Sequence, residues 1–112
     1  MEPQQAKTHE EALEIYRAIP EAKRHQAIGF LFGKLTDQDR IREAIKADPK
    51  EWWACYHFFW GMSVRNLLRQ HGMGEDFFGV ANLDDIYIEL VEDAMQMADA
   101  AALRILKSKK VN

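Results

Sequence analysis

The sequence has one cysteine, three prolines, six glycines and no long uninterrupted hydrophobic run in its 112 residues. A lone cysteine excludes an internal disulfide, and the place of Cys55 among aromatic residues predicts a buried, unreactive thiol in a reducing compartment. Cytoplasmic location is the expectation. The most apolar stretch, residues 52–62, contains His57 and is followed by Ser63, Arg65 and Asn66. No run of about 18 apolar residues remains for a membrane span. The opening Met1-Glu2-Pro3-Gln4-Gln5 lacks the basic start and apolar stretch of a secretory signal and reads as a frayed end over residues 1–7.

Basic surplus is missing as well. Fifteen Lys and Arg stand against eighteen Asp and Glu, a net charge of −3, and the cations are spread along the chain, which disfavours nucleic acid as a general partner. No Walker loop, dinucleotide fingerprint or nucleophile elbow occurs, and Gly72-Met73-Gly74 is too short to cradle phosphate. The histidines His9, His25, His57 and His71 are scattered, and none follows a glutamate at the Glu-x-x-His spacing of helical metal sites. No metal, cofactor or catalytic residue is therefore assigned.

What the chain does have is apolar mass and helix punctuation. Hydrophobic residues make up 47% and aromatics 11%, enough for one core without staples, so a single helical domain over 1–112 is expected. Thr8 with Glu11 makes a capping box before Ala12, Leu13, Ile15 and Tyr16, predicting a first helix over 9–18. Pro20 opens a second helix to about residue 33, and Thr36-Asp37-Gln38-Asp39 starts a third. Asp48-Pro49-Lys50-Glu51 is the strongest start signal, and Gly72 is the stop that follows. Between them the sequence predicts one long central helix, apolar nearly all round and so enclosed by the others. Residues 73–81 read as a loop pinned by Phe77 and Phe78. Asn82 then caps a last helix whose stripe Leu83, Ile86, Tyr87, Leu90, Val91, Ala94, Met97, Ala98, Ala101, Ala102 and Ile105 faces inward. Glu89, Glu92, Asp93 and Asp99 form a solvated face, and Lys107, Lys109 and Lys110 suit the helix end. The fold class is all-α, a compact bundle of about five helices around an aromatic-rich helix.

The oddity is polar residues in the most apolar helix. His57, Gly61 and Arg65 stack at four-residue intervals, and Gly61 leaves room for close approach of a neighbouring helix or a ligand. A buried guanidinium needs a partner, and Asp84 and Asp85, returning after a loop of about ten residues, are the carboxylates within reach.

The segment His57-Phe58-Phe59-Trp60-Gly61-Met62-Ser63-Val64-Arg65-Asn66 resembles the core of an uncharacterised family of small bacterial and phage-encoded domains. Their pattern is His, apolar residues, Gly, then a hydrophobic residue before Arg-Asn, with an Asp-containing stretch opening a later helix. Asp84 and Asp85 stand in that place, and the similarity spans about residues 52–94. Ser63 and Leu67 depart from it, where members carry a large aromatic and a polar residue. The resemblance implies no activity.

Two readings of function follow. One is a non-enzymatic interaction or regulatory protein with an unidentified protein partner, a homodimer included. The other is a small-molecule or anion pocket built from His57, Arg65, Asn66, Asp84 and Asp85, with weak acid-base chemistry at His57. Nucleic-acid binding would need Arg40, Arg42, Lys46, Arg65 and Arg69 on one surface.

Overall fold

The computed structural model describes residues 8–97. Within them the chain is a compact all-α bundle, with no strand among the described residues. The predicted frayed end, the last part of the apolar stripe from Ala98 to Ile105, Asp99 and the terminal lysines lie outside the described residues.

The first helix, α1, spans His9–Ala18, and Thr8 Oγ1 accepts from the Glu11 backbone N–H at 3.1 Å, which satisfies one of the donors a helix start leaves open. After Pro20, α2 runs Glu21–Lys34 and buries Ala27, Ile28 and Leu31. The third helix, α3, is Gln38–Ala47, with Ile41 as its buried residue. Its start differs from the expected cap. Asp37 sits in the left-handed region at φ 57° and makes no side-chain cap bond. Gln38 Nε2 instead donates to the Phe32 and Leu35 carbonyls at 2.9 and 3.0 Å, tying α3 to the end of α2.

The long central helix is not continuous. Asp48 Oδ1 does accept from the Glu51 N–H at 3.2 Å, as the start signal requires. The chain then makes a 3-10 turn at Trp52–Cys55 and a π turn at His57–Gly61 before α4, Met62–Gln70. In the π turn the Gly61 N–H donates to the Tyr56 carbonyl, five residues back, at 2.7 Å. Trp, Tyr, Phe, His and Cys all have weaker helix propensity than Ala or Leu, so packing sets the pitch here. The rings of Trp52, Tyr56 and Trp60 meet pairwise at 6.3 Å between centroids and form the inward side. The expected enclosure on all sides fails on the other side, where Ala54, Cys55, Phe58, Phe59 and Met62 are exposed. The predicted buried thiol is thereby corrected: the described helices cover only one flank of this segment.

Gly72, at φ 77°, ends α4, with the Met73 N–H returning to the Leu68 carbonyl at 2.8 Å. The loop 73–81 is pinned by buried Phe78 and by Phe77, which is partly buried against the core, with Met73 and Val80 buried beside them, and it holds a single helical turn, α5, at Glu75–Phe78. Asn82 accepts from the Asp84 N–H, and a 3-10 turn at Leu83–Asp85 leads into α6, described over 87–97. Leu83, Ile86, Tyr87, Leu90, Val91 and Ala94 are buried as the stripe predicts. Met97 is exposed, and Met95 fills the core in its place. Among the described residues no helix is long and apolar enough to cross a membrane.

Candidate functional site

Three neighbourhoods, two of them beside α6, carry the chemistry of the described residues. The first is at its start. Arg65, on α4, has a side chain only 8% exposed, and its Nε lies 2.8 Å from Asp84 Oδ1. The guanidinium carbon sits 4.8 Å from the centre of the Tyr87 ring, so the ring face supplies the electrostatic compensation that the unpaired Nη1 lacks. Tyr87 Oη in turn meets His57 Nδ1 at 2.8 Å. Gly61 makes this possible: a Cβ there would stand 2.7 Å from Tyr87 Oη and 3.2 Å from Arg65 Nη1. Burial pushes the Tyr87 phenol up to about 12 against the opposing pull of Arg65, so the hydroxyl keeps its proton.

Of the sequence-predicted site residues, the structure joins His57, Arg65 and Asp84 through Tyr87. Asp85 is half-buried in the same turn as Asp84. Asn66 is exposed and accepts from Arg69 Nη1 at 3.1 Å, away from the cluster. Tyr87, the hub, was legible only as a core position; its hydroxyl gave no separate signal in the sequence. Arg69 itself pairs with both carboxylate oxygens of Glu75, at 3.1 and 2.8 Å. That pairing holds the Glu75 carboxyl down at about 2 and pushes Arg69 up. With Arg65 buried on Asp84, the five cations required of a nucleic-acid face do not share one.

The second neighbourhood is the acidic side of α6, where the expected solvated face is corrected. Glu92 accepts from Trp52 Nε1 at 2.9 Å, and Asp93 accepts from the Tyr16 hydroxyl at 2.5 Å. Glu89 is 6% exposed, and its Oε2 is buried with no hydrogen-bond partner. Burial, reinforced by the charges of Glu92, Asp93 and Asp85, pushes the Glu89 carboxyl up to about 7. Burial likewise raises Glu92, and burial together with the bond to Asp93 raises the Tyr16 phenol. The wheel of α6 places Glu92 opposite the apolar stripe and Glu89 and Asp93 on its flank. Their burial comes from α1 and residues 49–53, which close over that side.

The third is the exposed aromatic face of residues 54–62. Phe58 is 73% and Phe59 88% exposed, with Met62 and Cys55 beside them. Single exposed apolar residues are ordinary, but a contiguous group of large ones marks an interaction surface. No group of three or more metal-ligating side chains occurs among the described residues. Comparison with protein-family models, with curated proteins and with solved structures gives no match.

Proposed function

We propose that the protein is a small non-enzymatic interaction module that self-associates through the aromatic face around Phe58 and Phe59. The observation that carries this reading is the outward placement of those two rings on an irregular segment whose inward side is already filled by Trp52, Tyr56 and Trp60. A second copy is the favoured occupant on electrostatic grounds. Residues 52–64 contain no Asp, Glu, Lys or Arg, so the face can meet its own image without like-charge repulsion. Burying two Phe on each of two copies contributes about 6 to 12 kcal/mol, at roughly 1.5 to 3 each. Association opposes this by about 4 to 15 kcal/mol, so a weak, reversible dimer is expected rather than an obligate one.

The alternative of a ligand pocket at His57, Arg65 and Asp84 has less support, because these groups direct their bonds at one another and at Tyr87. Sedimentation equilibrium from micromolar to millimolar concentration tests the proposal. Wild type should shift toward dimer as concentration rises, and Phe58→Ser with Phe59→Ser should stay monomeric with an unchanged helical spectrum. A wild type that is monomeric throughout, or a double variant that dimerises equally, rejects self-association at this face.

A further inference from the structure

The aromatic face borders a groove of about 310 Å³, lined among others by Leu35, which follows α2, and by Trp60, Ser63, Val64 and Leu67 of the π turn and α4. Lys34 is the charged residue of its lining. Trp60, Ser63, Val64 and Leu67 stand at positions i, i+3, i+4 and i+7, the set that forms the hole for a facing side chain where two helices pack knobs into holes. Val64 is buried, Leu35, Trp60 and Leu67 are half-buried and Ser63 is exposed, so the hole is apolar below and open above. Phe59 stands one residue before this set with nearly its whole surface exposed. Ser63 Oγ donates to the Phe59 carbonyl at 3.1 Å, which joins the exposed ring and the hole into one continuous helical segment.

We propose that this hole receives Phe59 of a second copy, whose own hole receives Phe59 of the first. The pairing rests on the self-association proposed above and specifies its geometry. Phe59 and the centre of the hole lie roughly 7 Å apart along the helix, at about 1.5 Å per residue. A reciprocal contact with that offset sets the two segments antiparallel about a two-fold axis, which passes midway, beside residues 61 and 62. Gly61 is turned toward Tyr87, so exposed Met62 is the side chain that meets its own image on the axis. Charge permits the pairing, because residues 52–64 bring no cation against Lys34. Two Phe rings and the holes that receive them bury roughly 600 to 1,000 Å², short of the ~1,200 to 2,000 Å² of stable complexes, which matches a weak, reversible dimer. A second copy covers ring and hole by one contact made twice, whereas a foreign chain would have to bring a knob and a hole of its own.

Isotope-filtered NOE spectra of an equal mixture of ¹³C-labelled and unlabelled full-length chains, at millimolar concentration, read contacts between copies alone. They should link the Phe59 ring to the methyl groups of Leu35 and Leu67, and the Met62 methyl group to its own image. In sedimentation, Leu67→Glu should weaken the dimer at least tenfold, while Leu67→Met, which keeps the apolar wall, should hold it within about threefold of wild type. Both variants should keep the wild-type helical spectrum. Contacts between copies confined to the Phe58 and Phe59 rings, or a dimer that Leu67→Glu leaves unchanged, would overturn the knob-and-hole pairing and leave self-association standing. A wild type that stays monomeric at millimolar concentration would overturn both.

Discussion

Arg65 and Glu89 are both charged side chains shut in beside α6, yet the fold provides for them differently. Arg65 arrives with a carboxylate at 2.8 Å and an aromatic face at 4.8 Å, while Glu89 Oε2 has a neighbouring carboxylate to either side and no donor. Equal enclosure therefore does not mean equal stability. On the Arg65 side the polar group holds two helices together, and on the Glu89 side it opposes folding whenever it is ionised.

Substitution should cost most on the paired side. Arg65→Met and Asp84→Asn should each lower the unfolding free energy by about 2 to 3 kcal/mol, below the range for fully enclosed pairs because Asp84 is 41% exposed. A double-mutant cycle in urea should show strong coupling, and additive losses would dissolve the pair as a structural unit.

Glu89→Gln should have the opposite sign. Below the ordinary carboxyl value of 4.5 both folded and unfolded chains hold the proton and wild type bears no penalty. As pH rises from 4.5 to about 7 the unfolded chain releases its proton first, so wild type loses stability across that window and stays lower above it. The variant should be about 1 to 3 kcal/mol more stable than wild type at pH 8, and its advantage should vanish near pH 4. Equal pH profiles for the two chains would place the carboxyl in contact with water.

Gly61→Ala tests the close approach beneath the Arg65 cluster. Ala gains up to about 1 kcal/mol over Gly in a helix, but here its Cβ would meet Tyr87 Oη at 2.7 Å. A net loss of about 1 to 2 kcal/mol is expected, partly restored by Tyr87→Phe, which removes the nearest atom. The smallest effect is reserved for Glu75→Gln at the half-exposed Arg69 pair, where screening limits the loss to about 1 kcal/mol or less. Because the Glu75 carboxyl sits at about 2, its contribution should be complete above pH 4.5 and fade only as pH falls toward 2.

Much of this was legible in the sequence, and the reason is locality. Thr8 and Asn82 cap as their spacing predicts, and Asp48 makes the predicted bond to the Glu51 N–H without starting a long helix, because such bonds depend on a side chain and an N–H two or three residues away. Asp84 was within reach of Arg65 because the connection between their helices is short. The pitch changes over residues 52–61 and the burial of Glu89 were not legible, since both depend on which remote elements close over a helix. Periodicity marks the apolar side of α6; it carries no information on whether α1 covers the other side as well. Cys55 failed for the same reason in reverse, as aromatic neighbours in sequence do not guarantee cover in space.

The π turn at His57–Gly61 closes through a bond to the fifth residue back where an α turn uses the fourth, so the helix there behaves as though one residue had been inserted. Deleting a single residue from 58–60 would let the backbone close in α register, and residues before the turn would rotate by roughly 100° relative to Arg65. His57 would leave Tyr87, and the outward rings would lose their present direction in the same step. Chain length at this one turn therefore sets both the support of the buried hub and the bearing of the exposed face.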